Sequence, residues 1–230
     1  MEVEIWSDVV CPFCYIGKRK FEKALEAFDD RATVHITWRS FQLDPDLEPS
    51  EGLRLDTYLA NRKGISVEKA KTMHTYMSGL AKEEGLDYHF ENAVVSNTMD
   101  AHRLLHFAKT KGLQSEAKEM LFKAYYTEGK DLNNLDVLTQ IGVAAGLEAD
   151  LIRQMYAGLD FRNDVLLDQL KAQQNGIQGV PFFVFNQQYA ISGAQPVTAF
   201  LQVLQQIAKE ENADLRENAA GLSCGVEGIC

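Results

Sequence analysis

The sequence predicts an α/β fold made of a β-α-β unit at the start, an α-β-β-α unit at the end and a large all-helical insertion between them. Three observations carry this. A β-branched apolar run opens the chain and meets two cysteines, Cys11 and Cys14, where a helical pattern begins. Strand alternation then appears once more before residue 45 and stops. It returns only near residue 180, after more than a hundred residues of helical periodicity.

The opening stretch, VEIWSDVVCPFCYIGKRKF, organises the rest. Val3, Ile5, Val9 and Val10 read as a strand, with the turn at Ser7 and Asp8 close to its end. Pro12 suits the first position of a helix, where a fixed φ fits and the missing N–H has no intrahelical partner. Cys11 then caps that helix, where unpaired backbone N–H groups and the positive end of the dipole favour a thiolate, so its pKa is expected to be lowered. Cys14 follows one turn on, a spacing that lets it attack a mixed disulfide formed on Cys11. A lone CxxC also suits half of a zinc site or an inert buried pair. Zinc needs two further ligands, normally a second close pair, and the strand-CPFC-helix order is the setting of a redox motif.

In chain order, residues 16–28 continue the first helix through Phe21, Leu25 and Phe28. Residues 33–43 alternate Val34, Ile36 and Trp38 against His35, Thr37 and Arg39, a second strand. A helical crossover makes the two strands parallel. Helical segments follow over 53–63, 67–84, 97–111, 115–128, 135–145, 149–156 and 161–175. Val180-Pro181-Phe-Phe-Val-Phe185 is a strand entered through a proline, 189–192 its antiparallel partner, and 196–208 a closing amphipathic helix. This order is the thioredoxin arrangement with an insertion between its halves. Residues 1–44 and 161–211 are read as two parts of one thioredoxin-like domain, 45–160 as the helical insertion, and 212–230 as a flexible tail holding Cys224 and Cys230.

Composition sets bounds. At 230 residues and 46% hydrophobic, the chain can bury a large core. Its 33 acidic against 23 basic residues give a net charge of −10, with no basic track for phosphates, so nucleic acid is not an expected partner. The chain enters its first strand without a basic n-region, apolar h-region or cleavage site, and no stretch suits a membrane span, so the reading is cytoplasmic. Four cysteines in this length are too few for a disulfide scaffold, which favours catalysis or metal binding.

CPFC at a strand-helix junction and GVPFFVF near the end resemble the DsbA-like branch of the thioredoxin superfamily. Within it, SDVVCPFCYIGKRKFE, SNTMDAHRLLHFA and GVPFFVFNQQYAISGAQP resemble the FrnE-like cytosolic thiol-disulfide oxidoreductases. The resemblance implies that Cys11 attacks, Cys14 resolves, and the Val180–Pro181 bond is cis and faces them. A trans proline at a strand start is the plain alternative. The cis form would turn the Val180 backbone outward to pair with an extended substrate.

Two departures from the wider family stand out. A buried carboxylate is expected six residues before the first cysteine, where this chain has Ile5; Asp8 either takes over proton handling or caps the turn. Phe13 replaces the histidine of DsbA between the cysteines and cannot stabilise a thiolate, which shifts the protein toward reductase or isomerase behaviour. The resemblance sets Asn97 and His102 at the active-site rim, against the reading of a capping Asn97 and a helix-face His102. His102 and His106 are four apart, without the glutamate of an HExxH site, and no metal is assigned. Met73, Met77 and Leu80 form one helical stripe, and Tyr125 and Tyr126 lie on another helix; such stripes are read as core. Cys224 and Cys230 are either a second redox pair or incidental thiols on a disordered end.

The expected activity is disulfide exchange with protein or small-molecule thiols and disulfides, with no bound cofactor and glutathione as a conceivable co-substrate. The alternatives are a glutathione-binding isomerase or kappa-type glutathione transferase relative, in which serine is expected at position 11, and a peptide-binding or chaperone module.

Overall fold

The computed structural model describes residues 1–48 and 53–223. Strand β1 (Glu2–Ser7) ends before Val9 and Val10, which lie in the following turn rather than in the strand as expected. Cys11 N–H closes that turn onto Asp8 C=O at 3.2 Å. Helix α1 (Pro12–Glu26) begins there with Cys11 as its cap and Pro12 in its first turn. Strand β2 (His35–Ser40) pairs parallel with β1, in register Ile5 to Trp38.

Among the described residues six helices build the insertion: α2 (Leu55–Lys63), α3 (Val67–Glu83), α4 (Met99–Thr110), α5 (Gln114–Tyr126), α6 (Leu135–Ala144) and α7 (Ala149–Ala157). Helix α8 (Arg162–Gln174) returns the chain to the sheet, where β3 (Phe182–Phe185) pairs antiparallel with β1 and β4 (Tyr189–Ser192) antiparallel with β3. The sheet order is β2-β1-β3-β4. Helix α9 (Val197–Ser223) closes the fold and runs well past the expected end at residue 208, so the first part of the expected flexible tail is helical.

Strand alternation sorts the two faces of the sheet. Val3, Ile5, Phe183 and Phe185 pack against Phe21 of α1 and Phe200 and Leu204 of α9. Trp6 faces the other way, onto Ala172 of α8, and its indole N–H donates to Asp168 C=O at 3.1 Å. A separate core fills the helical insertion. Its buried members include Cys11, Cys14 and Tyr15, so the cysteines sit at the seam between the two cores.

Polar contacts lock that seam. Arg39 of β2 binds Glu4 of β1 and donates to Asp168 Oδ1 at 3.0 Å, while Ser40 N–H donates to Asp168 Oδ2 at 2.9 Å. His106 of α4 meets Ser40 Oγ at 3.0 Å and Asp168 Oδ2 at 3.2 Å. On the α1 side, Lys18 is held by Glu22 at 2.5 Å and Glu119 of α5 at 2.6 Å, and Arg19 joins the same Glu119. Tyr15 stacks on Phe122 with ring centroids 4.7 Å apart. No helix among the described residues is long and apolar enough to cross a membrane.

Candidate active site

Cys11 and Cys14 are free thiols at the start of α1, one turn apart. Cys11 is 4% exposed and Cys14 1%, so the access of each is set by the cleft beside Cys11. The Cys11 thiol faces Val180 C=O with Sγ to O at 3.5 Å, and the Val180–Pro181 bond is cis. Gly17, one turn further along α1, lets the helix approach that loop: a Cβ built there would lie 2.9 Å from Pro181 Cγ.

The expected lowering of the Cys11 pKa does not survive the fold. Its cap position is as the sequence implies, and a backbone N–H of Cys14 favours the thiolate. The neighbouring Cys14 side chain, burial and the Asp8 carboxylate outweigh it and push the Cys11 thiol up. A helix dipole contributes about 0.3–1 kcal/mol at an exposed end, too little to reverse these.

Asp8 is fully buried. Its Oδ2 accepts from Leu43 N–H at 2.7 Å and its Oδ1 lies 3.3 Å from His102 Nε2. It is the Asp8 main-chain carbonyl that closes the turn, so the side chain is not the cap. Burial opposes ionisation of Asp8, but the His102 hydrogen bond and charge and the Leu43 N–H hold its carboxyl below the ordinary value. His102 is also fully buried, and burial lowers its pKa despite the carboxylate. The consistent state is a neutral imidazole donating from Nε2 to a charged Asp8, which leaves Nδ1 without a partner among the described residues. His102 is thus a buried support behind the site, not a rim residue. His106 turns to Asp168 instead, so the two histidines serve different carboxylates.

Asn97 holds backbone. Its Oδ1 accepts from Met99 N–H at 2.9 Å at the start of α4, and its Nδ2 donates to Pro45 C=O at 3.3 Å and Leu47 C=O at 3.0 Å. The cap residue of α4 is Thr98, so Asn97 stands one residue earlier than its capping reading and braces the turn into the helix, tying residues 45–47 to the helical insertion. Phe13, 39% exposed, stands at the mouth of a cleft of about 350 Å³ that opens beside Cys11, Pro12 and Val180. The far wall comes from Leu55, Met73, Met77, Phe90, Tyr125 and Tyr126. The methionine and tyrosine stripes therefore line the cleft as well as packing the core; Leu80 packs only against the core.

One residue of the site escaped the sequence reading. Lys118 of α5 is completely buried, and its ammonium donates to Ser7 C=O at 3.4 Å, close to the rings of Trp38 and Phe122. Burial pulls its pKa down to about 8, against the opposing influence of Cys14, Asp8 and Cys11. The signal was present: Lys118 falls in the i, i+4, i+7 row with Phe122 and Tyr125, a position that is core on an amphipathic helix.

Cys224 and Cys230 lie outside the described residues.

Residues 2–205 match the sequence profile of the DSBA-like thioredoxin domain. The chain belongs to that family. Within it, a probable DsbA oxidoreductase, SCO1869 of Streptomyces coelicolor, has a crystal structure similar to this chain at a TM-score of 0.86, with 38% identity and 91% of each chain covered. The uncharacterized protein YwbO of Bacillus subtilis is 27% identical over 187 residues, 80% of this chain and 86% of its own length. The cytosolic disulfide reductase DsbM of Pseudomonas aeruginosa, solved with GSH, shares the fold at a TM-score of 0.65 and 15% identity, covering 91% of this chain and 100% of that one. The mixed α/β architecture of this DSBA-like chain, with its four-stranded sheet, is that of these structures.

Proposed function

We propose that the chain is a thiol-disulfide oxidoreductase of the disulfide reductase or isomerase kind, working by dithiol-disulfide exchange at Cys11 and Cys14. The observation that carries this is the pair of free thiols one turn apart at a helix start, with Cys11 opening onto a cleft beside the Val180 carbonyl. Cys11 attacks a substrate disulfide, and Cys14 then displaces the mixed disulfide. Both electrons reside in the two sulfurs, so the reaction needs no bound cofactor; glutathione or another thiol serves as co-substrate. The Val180 backbone supplies an edge for an extended segment, and the apolar cleft wall suits apolar groups flanking the substrate sulfur. Pro12 shapes the start of α1, and Phe13 borders the incoming substrate.

The FrnE-like subtype is the reading we favour within the family, on the motifs around Cys11 and Pro181. A thiol at position 11, where the glutathione-dependent isomerases are expected to carry serine, weighs against that alternative. The test is glutathione-driven reduction of insulin disulfides. Loss of turnover in Cys11→Ser, with Cys14→Ser retaining single attack but stalling as a mixed disulfide, is the expected result. Full turnover in Cys11→Ser would refute the assignment.

A further inference from the structure

The exchange just described gives Lys118 no task. A lysine is almost never fully buried unless it is paired, yet Lys118 makes no ion pair with a carboxylate among the described residues and donates only to Ser7 C=O. Ser7 Oγ, on the same residue, is itself buried and without a hydrogen-bond partner among the described residues. The ammonium lies 4.8 Å from the centre of the Phe122 ring, which stacks on Tyr15, the neighbour of Cys14 in the same core; the titratable groups whose charge it feels are Cys14 and Lys18 on α1, Cys11 at its cap and Asp8 in the turn after β1, and His102 on α4 feels its charge in turn. Lys18 is neutralised by Glu22 and Glu119, and Asp8 is engaged by His102 and Leu43. Among these groups Cys14 is the strongest influence favouring the Lys118 charge.

We propose that Lys118 is the buried counter-charge of Cys14, holding the thiolate that Cys14 must become in order to resolve a mixed disulfide on Cys11. The inference rests on the exchange reading above. In the step concerned, the substrate is joined as Cys11–S–S–R. Cys14 loses its proton, its sulfur attacks Cys11 Sγ, the Cys11–Cys14 bond forms and the bond to R breaks. The leaving thiolate R–S⁻ takes up a proton, so charge and protons balance. Over the cycle the two protein thiols become a disulfide and the substrate disulfide becomes two thiols. A fixed cation in a water-excluded site lowers the cost of the attacking anion without moving during the reaction. Lys118 is not among the residues that line the cleft, so it acts from within the core and not by touching substrate.

The experiment uses the full chain with Cys224→Ser and Cys230→Ser, so that only the site thiols react. Reduced protein is mixed rapidly with 5,5′-dithiobis(2-nitrobenzoate) from pH 5 to 9. The first nitrothiobenzoate released reports attack by Cys11, and the second reports resolution by Cys14. Lys118→Met is expected to slow the second phase about tenfold at pH 7 and to move its half-maximal pH up by about one unit. The first phase should change less, and Lys118→Arg should restore most of the second. Lys118→Gln, which keeps a donor for Ser7 C=O without the charge, replaces the methionine variant if that does not fold. A second phase with an unchanged rate and pH profile in the charge-removing variant overturns the role of Lys118. A parent chain showing no second phase overturns the exchange reading, and this inference with it.

Discussion

Adding one methyl group at Gly17 separates the geometry of the site from the stability of the fold. Its Cβ would meet Pro181 Cγ at 2.9 Å, and Ala194 Cβ and Phe183 Cζ at 3.5 Å. Carbon atoms pack best at about 3.5–4.0 Å, so Pro181 must recede by about 0.6–1 Å while the other two contacts are already acceptable. Gly17 lies inside α1, where alanine gains about 0.5–1 kcal/mol over glycine. Overpacking costs about 1–3 kcal/mol. The two nearly cancel, leaving a net loss of about 1 kcal/mol and a fall in Tm of about 2–4 °C for a chain of this size. Activity has no such compensation. Receding Pro181 carries Val180 with it, away from Cys11, and a displacement of about 1 Å in a reacting geometry costs up to about a hundredfold. Gly17→Ala should therefore reduce insulin turnover about ten- to a hundredfold with a nearly unchanged melt. A variant at least as stable as the parent, with turnover within about twofold of it, would refute the claim that the α1 to Pro181 spacing sets the rate.

Further consequences follow from the charges around the thiols. Asp8→Asn removes a carboxylate that raises the Cys11 pKa, so alkylation of Cys11 by iodoacetamide at pH 7 should quicken about twofold; an unchanged or slower rate would mean that Asp8 is not felt at the sulfur. Stability should decline on acidification. His102 and His74 have folded pKa values below the unfolded value of about 6.5, so the unfolded chain binds more protons and stability is lost as pH falls from there. Asp8 and Asp168, also lowered, contribute stability that is present above about pH 3.9 and lost as pH drops through their folded values. Urea midpoints measured between pH 7.5 and 3 check the slope, and His102→Gln should flatten its upper part. Phe13→His places a cation-forming ring beside Cys11. It should make the site more oxidising by about 30 mV, equivalent to about 1.4 kcal/mol, in glutathione equilibration.

The order of elements was legible because periodicity switches cleanly between strand and helix, and CPFC marks the first junction. The pairing of β1 with β2 followed from the helical crossover alone. What was not legible depends on groups distant in sequence. The direction of the Cys11 shift is decided by Cys14, burial and Asp8 rather than by the helix end that the sequence displays. His102 was read as an active-site rim or helix-face residue, but α4 is buried on nearly all sides and turns it to Asp8. Lys118 was hidden because a lysine reads as solvent-facing even in a row of core positions. The closing helix outran its apolar pattern because Lys209–Ala220 is rich in Glu and Ala, whose intrinsic preference extends a helix without an apolar stripe.

The most direct test of the central claim is the redox equilibrium of Cys11 and Cys14 in glutathione buffers of defined ratio, with free thiols alkylated and the Cys11–Cys14 peptide weighed by mass spectrometry. The account predicts that both thiols disappear together as one intramolecular disulfide, in a single two-electron transition, at a potential more reducing than the roughly −120 mV of a strong oxidant such as DsbA. Two thiols that remain alkylatable at every ratio, or an independent glutathione adduct on each, would contradict it.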